Sequence, residues 1–186
     1  MVDLKAIRKS PLNGASLGNP KSVLIKEVPF LKSFDLRVDP ESAIAATIEQ
    51  DLKIKLPRNI GVATKNDFAC LTLGPDWWLL VELPESKAQE LQKKLINEYV
   101  SLVDVSSQRT CIEISGPSTK SVLQHAWEQD LDDVAFPVGA CAQGLMARCP
   151  TIIHRTADTT YRLYVRSSFA QHLYRFLTDA ATEYLN

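Results

Sequence analysis

The chain has 186 residues, 45% of them hydrophobic and 23% charged, which suits one domain with a core that needs no disulfide staples. That apolar fraction excludes disorder, and only seven glycines exclude collagen-like or low-complexity character. With 21 Lys+Arg against 22 Asp+Glu the formal net charge is −1, which argues against nucleic acid as a partner and leaves little self-repulsion to oppose association.

Residues 1–22 hold Pro11, Asn13-Gly14, Gly18 and Asn19-Pro20, enough turn chemistry to read as an irregular N-terminal arm anchored by Leu4, Ile7, Leu12 and Leu17. The arm lacks the apolar stretch of a secretory signal, and no apolar run in the chain is long enough to span a bilayer. A cytoplasmic, reducing setting with no membrane partner is therefore expected. Residues 23–186 read as a single compact α+β domain. Residues 23–28 form a short strand that Pro29 stops. Asp39 as N-cap, Pro40 in the first turn and Glu41 near the positive helix end predict a helix carrying Ile44, Thr47, Ile48 and Leu52, closed by Leu56-Pro57. Residues 68–73 are a strand, Gly74-Pro75-Asp76 a turn, and 77–83 a second strand whose unbroken apolar run predicts burial on both faces. Pro84-Glu85-Ser86 opens a helix with Ala88, Leu91, Leu95 and Ile96 on one face. Strands at 101–105 and 110–114 follow, then Gly116-Pro117 and a helix through Val122 and Leu123. Residues 151–155 and 161–165 pair around Ala157-Asp158-Thr159, and Ser167-Ser168-Phe169 opens a helix with Leu173, Phe176, Leu177, Ala180 and Ala181 on one side. Strand, turn, strand, helix thus occurs twice, at approximately 67–100 and 150–186. This internal pseudo-repeat implies duplicated strand–strand–helix units, with antiparallel sheets covered by helices.

Residues for chemistry are sparse. There is no G-x-G phosphate loop, no G-x-S-x-G elbow and no H-E-x-x-H. Cys70, Cys111, Cys141 and Cys149 lack zinc or redox spacing and read as small buried hydrophobes. His154, on a strand, has the rigidity for catalysis or covalent cofactor attachment, but a sheet histidine bonded to a neighbour is the favoured reading; His125 and His172 fall on helices. Glu128, Asp130, Asp132 and Asp133 lack calcium-loop spacing and read as a solvated segment. Arg148, Arg155, Arg162 and Arg166 lie in or near the last strands, placed for an anion, a partner's acids or, as the favoured use, ordinary surface contacts. Trp77 and Trp78 are the sharpest feature. Adjacent on a strand, they point to opposite faces, so one enters the core and the other is covered by a helix, a partner or water. Trp77, Trp78, Arg148, Arg155 and Arg166 form the candidate partner interface, and no residue is assigned to catalysis, cofactor or metal.

Several motifs follow one another in a recognisable order. Leu73-Gly74-Pro75-Asp76 with Trp78-Leu79-Leu80 comes first, then Val103-Asp104-Val105-Ser106 with Arg109, then Ser115-Gly116-Pro117. Phe136-Pro137 with Gly139 and Cys141-Ala142-Gln143, Ala147-Arg148, Arg162-Leu163, Val165-Arg166-Ser167 and Phe169-Ala170 complete the set, with Lys9-Ser10-Pro11-Leu12 a weaker match in the arm. The set resembles the gamma subunit of heterotetrameric sarcosine oxidase, a family similar in fold to the folate-binding domain of the glycine-cleavage T-protein. Trp77 stands where that pattern has an acidic residue, and His154 where it has Trp. The resemblance implies a non-catalytic subunit of an oxidoreductase acting on CH–NH groups, with alpha, beta and delta subunits as partners. It implies FAD, FMN, NAD, tetrahydrofolate and zinc in those other subunits and none in this chain. The implied reaction demethylates sarcosine to glycine, its one-carbon unit passing to tetrahydrofolate or leaving as formaldehyde. Three alternatives stay open. One is the gamma-type subunit of a related enzyme such as N-methylglutamate dehydrogenase. Another is a free-standing folate-binding protein similar to the T-protein, towards which Gly139-Ala140-Cys141-Ala142-Gln143-Gly144 points faintly. The last is an interaction domain with no redox connection.

Overall fold

Every residue of the 69–81 hairpin but its turn is buried or nearly so, which requires something packed on each side of it. The computed structural model, which describes residues 8–59, 61–65 and 67–185, provides it. The chain runs β1 (Ser16–Gly18), β2 (Leu24–Val28), β3 (Ser33–Arg37), α1 (Ala43–Leu52), β4 (Ala63–Lys65), β5 (Ala69–Gly74), β6 (Trp77–Val81) and α2 (Glu85–Lys94). It continues with β7 (Ser101–Asp104), β8 (Arg109–Ser115), α3 (Thr119–Gln124), β9 (Cys141–Met146), β10 (Cys149–Ala157), β11 (Thr160–Arg166) and α4 (Ala170–Ala180). One sheet has the order β1-β2-β8-β11-β10-β9 and the other β4-β5-β6-β3-β7, with antiparallel pairing throughout. The expected α+β architecture of antiparallel sheets covered by helices is present. No helix among the described residues is long and apolar enough to cross a membrane.

The layers follow from strand alternation. On β6, Trp78 and Leu80 face the helices α1 and α2, meeting Ile48, Leu52 and Leu91, while Leu79 and Val81 face the other sheet. On β8, Ile112 and Ile114 face α3 and α4 with Val122, Leu123, Leu173 and Leu177, while Cys111 faces inward. The sheets therefore meet face to face through Leu71, Leu79, Val81, Cys111, Ile152 and Tyr164, with a helix pair on each outer side. Each fully buried Leu, Ile or Val contributes about 1.5–3 kcal/mol, so these three apolar layers carry the fold. At one edge the sheets are stitched together by backbone. Cys141 N–H donates to the Gly61 carbonyl and Ala63 N–H to the Gly139 carbonyl, both at 2.8 Å.

Local differences from the sequence reading have local causes. Ser42, not Asp39, caps α1: its hydroxyl accepts from Ala45 N–H at 3.2 Å, while Asp39 Oδ1 accepts from Glu41 N–H at 2.9 Å and shapes the preceding turn. The 1–22 arm includes the short strand β1, paired with β2, and Leu12 is buried in the core whereas Leu17 is exposed. Leu4 and Ile7 lie outside the described residues. Glu27 pins the arm to the sheet. Its buried carboxylate accepts from Ser10 Oγ at 2.6 Å, Leu12 N–H at 3.3 Å, Gly14 N–H at 2.8 Å and Thr110 Oγ1 at 2.8 Å.

Candidate subunit interface

The two tryptophans part company as strand geometry demands. Trp78 is fully buried beneath α1 and α2, and its Nε1–H donates to the Pro57 carbonyl at 2.9 Å. It belongs to the interior of this chain, so its place among the candidate partner residues is corrected: an intradomain helix pair covers it. Trp77 lies on the opposite face, half-buried, just after a bulge that shifts the β5–β6 register between Thr72 and Gly74. Its Nε1–H donates to Asp35 Oδ1 at 3.3 Å, and the Arg37 guanidinium lies 4.7 Å from the ring centroid. Arg37 is held there by Asp76 Oδ1 at 2.8 Å.

Trp77 forms one wall of a cavity of about 410 Å³ at the mouth between the sheets, with Arg109, Gln143, Leu145, Tyr164 and Arg166 among the other lining residues. Arg109 and Arg166 are directly opposite each other on β8 and β11, on the same face as Cys111 and Tyr164. Burial pushes the Arg109 guanidinium's pKa down; Asp35 counters this, and Arg166 adds to it. Among the described residues no carboxylate lies within 4.0 Å of either guanidinium. Gln143 Nε2–H donates to the Leu73 carbonyl at 2.9 Å and closes the floor between β9 and β5. Arg148 is exposed at the tip of the β9–β10 hairpin, where Ala147 and Arg148 take φ of 47° and 66°, the geometry of a tight two-residue turn. Met146 pairs with Cys149 and Thr151 with Val165, so this tip and Arg166 share one end of the sheet.

Arg155 is a second correction. It leaves β10 on the helix side, is 3% exposed, and donates to the Phe136 and Asp158 carbonyls at 2.8 Å each. It also pairs with Asp133 at 2.6 Å and lies 5.7 Å from the Tyr161 ring centroid. Its task is to hold the loop before β9 against the sheet, and its charge is neutralised within the chain. Asp133, read as part of a solvated acidic run, bonds Lys120 as well as Arg155, and both bonds hold its carboxyl below the usual range. Arg162 is likewise spent internally, bonding Glu113 at 3.1 Å and Glu82 at 2.9 Å, while Lys26 reaches Glu113 at 3.0 Å.

The cysteines are buried and free, and burial raises the thiols of Cys70 and Cys111 and pushes that of Cys141 up to about 12, which keeps them protonated at neutral pH. His154 is buried on β10, His125 is exposed at the end of α3, and the His172 ring lies 3.1 Å from the Ala147 carbonyl. No group of three or more His, Cys, Asp or Glu among the described residues is arranged to hold a metal. Of the five candidates, Trp77, Arg148 and Arg166 thus stand at one end of the molecule. Arg37, Arg109 and Tyr164 join Trp77 and Arg166 there without having been singled out as site residues. Alternation along 109–113 and 162–166 carries that signal, but the face becomes readable only once β8 and β11 are known to pair.

The sarcosine oxidase, gamma subunit family matches residues 37–183. The sarcosine oxidase subunit gamma of Corynebacterium sp. (strain U-96) is 28% identical over 194 positions, spanning 99% of this chain and 95% of that protein. The subunit gamma of an Arthrobacter sp. is 29% identical over 196 positions with the same coverage. Among solved structures, a chain of the heterotetrameric sarcosine oxidase from Corynebacterium sp. U-96, in complex with pyrrole 2-carboxylate, superposes with a TM-score of 0.89 at 28% identity, covering 96% of this chain and 97% of that one. The glycine cleavage system aminomethyltransferase T from Bartonella henselae matches at a TM-score of 0.68 and 11% identity, over 92% of this chain and 57% of its own, a likeness of fold. By sequence and by architecture, the chain belongs to the sarcosine oxidase gamma subunit family.

Proposed function

We propose that the chain is a non-catalytic, gamma-type subunit of a heterotetrameric, flavin-dependent sarcosine oxidase, with alpha, beta and delta chains as its partners. The observation that carries this reading is the near end-to-end superposition, at a TM-score of 0.89, on a chain from such a heterotetramer. In this reading a hydride equivalent would pass from the N-methyl carbon of sarcosine to flavin held by another chain, and the resulting imine would yield glycine and a one-carbon unit, taken by tetrahydrofolate or released by water as formaldehyde. FAD, FMN, NAD, tetrahydrofolate and zinc belong in this reading to the other chains. The side-chain chemistry here favours a structural role. Arg155, Arg162, Glu27, Glu82, Glu113 and Asp133 are engaged in internal ion pairs and hydrogen bonds, and the thiols are held protonated. The aminomethyltransferase likeness, at 11% identity, is one of fold.

The test is co-expression with the flavin-bearing chains. The expected outcome is a colourless chain when purified alone and a stoichiometric member of a yellow complex when co-expressed. A stable lone protein that binds tetrahydrofolate one to one would contradict the reading.

A further inference from the structure

We infer that the mouth around Trp77 receives an acidic loop of a partner subunit, which places a carboxylate between Arg109 and Arg166 and an apolar side chain on the indole. This rests on the subunit reading above and names the part of the surface that does the docking. Like charges directly opposite each other in an antiparallel pair are destabilising, yet Arg109 and Arg166 occupy such a pair at the inner face of the sheet. Arg109 is half-buried, with its charged form disfavoured by burial and by Arg166. Within the described chain the relief is partial: Asp35 counters it from beyond ion-pair distance, and Arg109 Nη1 donates to Gln108 Oε1 at 2.6 Å. The nearest acids of the mouth are already engaged, Asp35 by the Trp77 indole and Asp76 by Arg37. A chain of net charge −1 thus places two guanidinium groups at one opening with no carboxylate of the described residues within 4.0 Å, and Arg148 lies at the same end of the sheet.

The shape agrees with the charge. Two guanidiniums across one cavity suit a carboxylate, which each can grip with a planar pair of donors. The rim also offers exposed apolar side chains. Leu145 is 49% exposed, and Val103, directly opposite Asp35 on β7, is 50% exposed. Trp and Arg are the residue types that dominate binding energy at protein interfaces, and a half-buried indole stacked against Arg37 is a rigid anchor.

The experiment measures affinity of the full chain for the co-purified flavin-bearing chains, by tagged capture across a series of salt concentrations. The variants are Arg166→Ala, Arg166→Glu, Arg166→Lys and Trp77→Ser, with Lys93→Ala on the exposed side of α2 as control. Arg166→Ala and Trp77→Ser should each weaken capture about tenfold to hundredfold while the chain still melts cooperatively. Arg166→Glu should weaken it further, Arg166→Lys should restore part of the loss, Lys93→Ala should bind as the parent does, and parent affinity should fall as salt rises. If the parent chain joins the flavin-bearing chains and Arg166→Glu joins equally well, the docking site is overturned while the subunit reading stands. If the parent chain does not join them, both fall. A parent chain that instead pairs with a second copy of itself, and is dispersed by Arg166→Glu, overturns the choice of partner.

Discussion

Because successive side chains on a strand leave opposite faces, Trp78 carries its indole under α1 and α2 while Trp77 keeps its own at the mouth between the sheets. Their substitutions should separate accordingly. Trp78→Ala opens a large cavity and unpairs the Pro57 carbonyl, so it should cost about 3–5 kcal/mol in urea unfolding of the chain, whereas Trp77→Ser should cost about 1–2. Equal losses would contradict the assigned faces. Glu113 gives the residue-scale account of pH. Burial opposes its ionisation, but the hydrogen bonds and charges of Lys26 and Arg162 outweigh burial and hold its pKa below the ordinary 4.5. The unfolded chain therefore binds the proton first as pH falls. The stabilisation is complete above about pH 4.5 and is lost as pH drops from there through the folded value. Glu113→Gln should lower neutral-pH stability by about 1–3 kcal/mol and flatten the fall of melting temperature below pH 4.5, measured by calorimetry across an acid series.

Among the elements, those with continuous apolar character were legible from sequence, and those defined by distant pairing were not. Residues 68–73, 77–83 and 161–165 reveal themselves by composition, and the structure places β5, β6 and β11 there within one or two residues. Ser33–Arg37 mixes Ser, Asp and Arg with Phe and Leu and has no element assigned to it from sequence, yet it lies between β6 and β7 as an inner strand. Its alternation is genuine: Phe34 and Leu36 are buried beneath the helices while Asp35 faces the mouth. Cys141–Met146 is small and half-exposed because it is an edge strand, so apolar content gave no warning of it. Arg155 was misplaced for a related reason. Residues 151–155 are all buried, so alternation could not tell which face the guanidinium takes. The Trp77/Trp78 divergence itself was legible, but the assignment of each to a face required the sheet order. The turn before α3 offers an element-scale test. Gly116 has φ +117°, and an added Cβ would collide with the Ser22 carbonyl that lies against it. Gly116→Ala should lower the melting temperature by several degrees, corresponding to about 1–3 kcal/mol, while an unchanged melting temperature would contradict the close approach of the two loops.

At the scale of the molecule, two face-to-face sheets with helices outside leave one end where the inner faces reach solvent, and there the chain keeps an indole and guanidiniums that it does not neutralise itself. Elsewhere its charges close on one another, as in Arg162 with Glu82 and Glu113 or Arg155 with Asp133. That division between a self-satisfied body and a charged mouth is what the proposed docking site rests on. Several residues of the motifs that carried the family resemblance fall there too: Asp76, Arg109, Gln143, Arg148 and Arg166 hold or line one end of the fold. The most direct test is the native mass and visible absorbance of the complex purified through a tag on this chain after co-expression with the flavin-bearing chains. The account predicts one copy of this chain per complex, flavin absorbance that stays with the other chains when the complex is dissociated, and a colourless chain on its own. Flavin retained by the isolated chain, or a tagged chain that emerges alone, would contradict it.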